Sequence, residues 1–360
     1  MKKLFSGNKL SRRSFLAGTG AVAAGLTILP KHGFSAEEAK LNFYNWDTYI
    51  GETTLDDFKD SAGIEVKMDL FADNDELFAK FKEGNPGYDL IVPTDTYVER
   101  MITAGMLEKL DHSMIPNFKG NVDPNFQDAQ FDPGRAYSMP YMWGTIGIGY
   151  RKSRVDEEPN SWKWMYDSDK YSGRIAFLGD GATIIQMAMK YMGESLNTTD
   201  PAKIKKAEEL IIKQKPHIKV FAEDNGQDLL ASGEVDLAME WNGDILQVMA
   251  EDDDIGYSVP KEGGLLWQDC LAIPKGAPHP ENAHKFINYI LDAEAGALIA
   301  DFIQYGTPNN AAKALMSTDY TENPAIFPPA SVIAASEAAL YQGPEYVRNI
   351  DEAFTRINAA

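Results

Sequence analysis

Cysteine is almost missing from this chain: Cys270 is the only one among 360 residues. One thiol cannot form an internal disulfide, so packing alone must hold the fold together. Histidine is nearly as scarce. Of the five, the four beyond residue 36 (His112, His217, His279 and His284) are scattered, and none has a Cys, His or carboxylate neighbour at metal-ligand spacing. The sequence also lacks a G-x-S-x-G elbow, a P-loop, a G-x-G-x-x-G after a strand, and the spacings of haem or iron–sulfur ligands. No metal, no other cofactor and no catalytic residue is expected from these absences.

Positive charge is short as well, with 34 Lys and Arg against 54 Asp and Glu. Six of the basic residues (Lys2, Lys3, Lys9, Arg12, Arg13 and Lys31) fall within residues 1–36, where no acidic residue occurs. There the run SRRSFLA at 11–17 precedes a mildly apolar Gly/Ala-rich stretch ending near Leu29, and small residues follow at Gly33, Ser35 and Ala36. The pattern is that of a cleaved twin-arginine export signal. Its apolar part is short for a membrane span, which needs about 20 apolar residues. No other segment approaches that length, and no Cys stands at the cut for a lipid anchor. The mature chain is therefore expected in the periplasm without stable membrane insertion.

Without residues 1–36 the chain keeps 28 basic and 54 acidic residues, a net charge of −26. Nucleic acid needs a basic surface and is not an expected partner. A cationic ligand suits this balance, although acidity also serves solubility alone.

What the sequence does contain is strand–helix alternation. Strands are read at 41–46, 64–70 and 88–93, with helices at 53–60 and 74–82 and a helix opening after Thr94-Asp95-Thr96. A second set places strands at 173–178, 218–221 and 235–241 and helices at 182–192, 201–213 and 242–249. One long helix is read over 281–299. Short connections between such elements imply mostly parallel sheets. The segments 141–150 and 258–266 read as strands crossing between two α/β lobes around a cleft. The expected division is 38–145 plus 269–313 for one lobe and 150–264 plus 316–360 for the other.

In open α/β sheets the loops at the carboxyl ends of strands form the ligand site. Those ends carry Trp46, Asp47 and Tyr49; Thr94 and Asp95; Asp180 and Thr183; and Trp241 and Asp244. Trp267 and Asp269 lie where the chain crosses back, and Tyr305 stands in QYGTP. Because a strand alternates with period two, Trp267 and Asp269 share a face inside the apolar run GGLLWQDCLAIP at 263–274. A carboxylate in such a run is costly without a partner. Aromatic faces attract ammonium groups, carboxylates bind them, and ring faces pack on methylenes. The set therefore suits a flexible polycation. Plainer roles exist for several members: helix caps for Asp95 and Asp244, core for Trp46 and Trp267, a turn for Asp180. Asp269 fits a plain role least.

At these residues the sequence resembles the periplasmic spermidine/putrescine-binding proteins of ABC transporters, over roughly 40–330. The resemblance is carried by FYNW (43–46) with Tyr49, YDLIVP (88–93), MPYMWG (139–144), NTTDP (197–201), WNG (241–243), PKEGG (260–264) with Trp267 and Asp269, and YGTPN (305–309). It implies a two-lobed type II periplasmic-binding-protein fold that hands a polyamine to membrane permease subunits. By the resemblance Trp46, Tyr49, Trp241, Trp267 and Tyr305 match aromatic walls, Asp269 an amine anchor, Asp180 a second acidic position, and Asp244 an acid of putrescine-type members. Thr94 stands where the family commonly has serine. Three departures accompany this. Thr183 replaces a usual glutamate, Thr48 replaces an acid beside Asp47, and no glutamine is matched near Ala339. A same-fold binding protein for another amine-bearing or zwitterionic solute is the first alternative, and a twin-arginine-exported enzyme the second.

Overall fold

The computed structural model describes residues 37–223 and 225–360. The export signal read at 1–36 lies outside the described residues. Ten strands form one sheet: β1 (Lys40–Asn45), β2 (Glu65–Leu70), β3 (Leu90–Ile91), β4 (Ser138–Arg151), β5 (Ile175–Leu178), β6 (Ile218–Ala222), β7 (Leu237–Trp241), β8 (Ile255–Ser258), β9 (Leu265–Ala272) and β10 (Glu337–Ala338). Their order is β2-β1-β3-β9-β4-β7-β5-β6, with β8 on β4 and β10 on β9. Pairing within β2-β1-β3 and within β7-β5-β6 is parallel. Each parallel set is built from strand–helix alternation, as expected, and the two sets are the sheets of two lobes. Antiparallel β4 and β9 run side by side between them, from the β3 side to the β7 side.

Alternation explains how the layers fill. On β1, Leu41 and Phe43 enter one apolar core while Tyr44 enters a second on the opposite face. On β9, Trp267 and Leu271 join the first and Cys270 and Ala272 the second. Trp267, Asp269 and Leu271 thus share a face.

Two boundaries differ from the sequence reading. The return crossing, expected at 258–266, is β9 instead. Gly263 N–H donates to Pro260 O at 2.9 Å with Gly263 at φ 82°, and this turn ends β8 before β9 begins. Trp267 and Asp269 consequently sit within the crossing strand. The helix expected at 281–299 is two helices, Pro280–Ile290 and Ala293–Ile303. Asp292 interrupts it as an N-cap, accepting from Glu294 N at 2.9 Å and Ala295 N at 3.3 Å.

Candidate functional site

The site grows from the register of β4 against β9. Trp267 lies opposite Gly144, and the register shifts between Pro140 and Met142. The extra residue at that shift is Tyr141, and a bulge re-aims a side chain. Tyr141 donates its hydroxyl to Tyr49 O at 2.8 Å and meets the Tyr49 ring edge-on at 5.2 Å. Glycine at 144 leaves room for the Trp267 indole: a Cβ there would stand 2.5 Å from Trp267 Cζ2 and 2.2 Å from Asn242 Oδ1. Gly243 does the same for Tyr305, whose ring would lie 2.4 Å from a Cβ.

Five rings follow one another in edge-to-face contact. Trp241 meets Trp267 at 5.8 Å, Trp267 meets Tyr305 at 5.0 Å, and Tyr305 meets Tyr49 at 5.5 Å, with Tyr141 next in line. Four of the five belong to the residues read from the sequence, and Tyr141 is new. Asp269 lies against this wall, 7% exposed. Tyr49 OH donates to its Oδ2 at 2.9 Å and Thr94 Oγ1 to its Oδ1 at 2.7 Å. Thr94 is oriented in turn by Asn74 Nδ2, which donates to its hydroxyl at 2.8 Å. Burial pushes the Asp269 carboxyl up to about 6, and the two hydroxyl donors oppose that rise. The Tyr49 hydroxyl is driven well above its ordinary range by burial and by the charge of Asp269, so it remains a donor. Asp269 therefore has one neutral donor on each oxygen and lone pairs to spare for a cation.

Thr94 and Asp95 divide their roles differently from the expected capping. Thr94 occupies the N-cap of helix Asp95–Thr103, but its side chain makes no cap bond because it serves Asp269. Asp95 is in the first turn, 4% exposed. It accepts from Thr96 N at 2.7 Å and from Gln268 N at 3.2 Å. Burial raises its carboxyl to about 8, with the charge of Asp269 adding to the rise.

Asp180 and Thr183 form a separate pair. Asp180 caps helix Gly181–Tyr191, accepting from Ala182 N at 2.9 Å, and Thr183 Oγ1 donates to its Oδ2 at 2.8 Å. Water reaches Asp180, yet the protein crowded around it lifts its carboxyl, and Asp75 adds repulsion. Asp75 accepts from Tyr97 OH at 2.8 Å and from Arg100 Nη1 at 3.3 Å. The carboxyl of Asp351 is raised by partial burial and by Asp75 and Asp180. Asp75 and Asp351 were not read from the sequence. The strand-end rule does point to Asp75, which follows β2 by five residues, whereas Asp351 lies within helix Pro344–Ala359 and carries no such mark.

Trp46 and Asp47 make their hydrogen bonds elsewhere. Trp46 donates to Val92 O at 2.9 Å and packs on Phe71 at 4.4 Å. Asp47 is exposed and accepts only from its neighbour Thr48 N, at 2.9 Å, among the described contacts. Thr48 takes the left-handed conformation, φ 48°. Asp244, half-buried, stands in the first turn of helix Asn242–Met249, directly after Gly243. Among the described residues no group of three His, Cys, Asp or Glu could hold a metal, and no helix is long and apolar enough to cross a membrane.

The two-lobed fold has known counterparts. A family model for bacterial extracellular solute-binding proteins matches residues 53–328. The chain is 36% identical over 324 residues to the spermidine/putrescine-binding periplasmic protein of Escherichia coli (strain K12), covering 89% of this chain and 91% of that protein. Identity to the putrescine-binding periplasmic protein of the same organism is 32% over 360 residues, covering 95% and 97%. The substrate-binding protein of a Streptococcus pneumoniae spermidine/putrescine ABC transporter has TM-score 0.80 and 29% identity, over 89% of this chain and 98% of that one. The chain belongs to the bacterial extracellular solute-binding proteins. Both Escherichia coli relatives are named as binding proteins of the periplasm.

Proposed function

We propose that the protein captures a polyamine, putrescine or spermidine, and delivers it to the membrane permease subunits of an ABC transporter. One observation carries the reading: a buried carboxylate, Asp269, has only neutral donors among the described residues and lies against a wall of aromatic rings. An ammonium satisfies that carboxylate, and the rings of Trp267, Tyr305 and Trp241 hold the methylenes or the cation. Relatives named for spermidine and putrescine support the same chemistry. In this reading export uses the twin-arginine route, and the lobes divide as 38–145 plus 269–313 and 150–264 plus 316–360. A zwitterionic solute fits less well, since its carboxylate would want a free Arg or Lys. Arg100 is already paired with Asp75, and Arg135 points away behind β9.

Calorimetric titration with putrescine, spermidine, spermine and γ-aminobutyrate tests the reading. Heat from putrescine or spermidine is the expected result. Binding of γ-aminobutyrate alone would overturn it.

Asp269 fixes one amine in this account, and the end near Thr183 sets ligand length. Thr183→Glu adds a carboxylate beside Asp180 and should raise the spermidine-to-putrescine affinity ratio about tenfold, as expected for one charged hydrogen bond. Unchanged selectivity in that titration would separate Thr183 from length discrimination.

A further inference from the structure

The helix that begins at Thr94 makes a second contact beyond its own lobe. About a turn and a half after Thr94, which binds Asp269, Glu99 Oε2 accepts from the backbone N–H of Tyr341 at 3.1 Å. Helix Asp95–Thr103 follows β3 and so belongs to the first parallel set. Tyr341 is attached to the second. β10, just before it, pairs with Leu265 and Leu266, at the end of β9 that lies toward β7. Glu337 pairs with Lys190 Nζ at 2.8 Å and accepts from Ser195 Oγ. Asn197 then grips the backbone on both sides of Ala339: its Nδ2 donates to Ala338 O at 2.8 Å, and its Oδ1 accepts from Leu340 N at 2.8 Å. Lys190 lies on helix Gly181–Tyr191, which follows β5, and Asn197 opens the NTTDP run, which has no part in the aromatic wall.

Segment 337–341 is thus a strap fixed to one lobe, with its far end held by a carboxylate of the other. A hydrogen bond between lobes that can swing apart exists only while they are closed, and a charged acceptor strengthens it. It biases the open–closed balance without meeting the ligand. Charges nearby oppose closure: Asp75 on the first lobe repels Asp180 and Asp351 on the second, and Arg100, paired with Asp75 at 3.3 Å, offsets part of this. We propose that Glu99 clasps the strap when the lobes close, that Asn197 holds the strap in the shape that aims Tyr341 N–H at Glu99, and that this clasp sets how long a captured ligand is retained. Both are positioning residues. The proposal rests on the polyamine reading only for the ligand that closes the lobes. Gln247 Nε2, donating to Ile303 O at 3.3 Å, also joins the two sets, but it lies two residues from Tyr305 along the chain and so belongs with the aromatic wall.

Calorimetry and stopped-flow release of putrescine and spermidine, on the parent and on Glu99→Ala, test the clasp. Affinity for both ligands should fall by one shared factor, about five- to tenfold, with the loss in the release rate, as expected for one half-buried hydrogen bond to a charged group. Glu99→Gln keeps an acceptor and should recover part of the loss. Asn197→Ala should show a similar shared loss, and the double variant little more than either single one, because both act through one bond. The unmodified protein gives a readout that needs no variant. Its Tyr341 amide should exchange hydrogen about tenfold more slowly once putrescine is bound. A loss confined to one ligand, unchanged release from Glu99→Ala, losses that multiply in the double variant, or Tyr341 exchange indifferent to putrescine would each overturn the proposal. Absence of binding by any polyamine would instead overturn the functional reading beneath it.

Discussion

Asp269→Asn should lower polyamine affinity by about 2–5 kcal/mol, from roughly thirtyfold to several thousandfold, while leaving the fold intact. The amide keeps the shape of the carboxylate but cannot neutralise an ammonium. The ligand's charge would then be buried against the rings of Trp267 and Tyr305 without the counter-charge of Asp269. Stability should move the other way. Asp269 titrates near 6 in the folded chain and at about 3.9 when unfolded, so the unfolded state loses its proton first as pH rises. The ligand-free protein therefore loses stability from this group between about pH 4 and 6, and the asparagine variant escapes the loss. Thermal melts at pH 5 and 7.5 should show the variant gaining relative to the parent at the higher pH. Parent-like affinity in Asp269→Asn would return this carboxylate to a purely structural role.

Gly243→Ala should have the next largest effect, although no functional group is removed. A Cβ at 243 would stand 2.4 Å from Tyr305 Cζ and 2.5 Å from both ring Cε atoms. The Tyr305 ring has little freedom to retreat. It meets Trp267 at 5.0 Å and Tyr49 at 5.5 Å, and its backbone carbonyl accepts the Tyr320 hydroxyl. Overpacking of this kind costs about 1–3 kcal/mol and displaces whatever ring gives way. The variant should melt a few degrees lower and bind about ten- to a hundredfold more weakly, because the ring that moves belongs to the binding wall. Gly120→Ala is the control, since nothing lies within 4 Å of its added Cβ, and it should change neither property. A Gly243→Ala protein with unchanged affinity would show that Tyr305 does not shape the site.

The sequence makes the Trp267–Asp269 pair legible and hides what supports it. Period-two alternation alone places Trp267 and Asp269 on one face of an apolar strand, and the structure keeps them there. The strand-end rule likewise leads to Tyr49, Thr94 and Trp241. It does not reveal that Thr94 abandons its cap for Asp269, because both roles begin from the same residue type at a helix start. Tyr141 is invisible as a site residue, since the register shift that re-aims it depends on how β4 meets β9. Arg135 is hidden for a similar reason: its contacts with Gln268 and Cys270 join segments more than a hundred residues apart. Gly144 and Gly243 stand within legible motifs, but their purpose appears only when the rings of Trp267 and Tyr305 are seen against them. The crossing strand lies later than the sequence pattern implies, because Pro260 and Gly263 form a turn inside a stretch that reads as continuous.

A crystal structure of the protein with putrescine tests the central claim most directly. The account predicts a primary ammonium within hydrogen-bond distance of Asp269, with the methylenes against Trp267 and Tyr305 and the second ammonium reaching toward Asp180. Putrescine bound elsewhere, or held in the aromatic wall with no ammonium at Asp269, would contradict it.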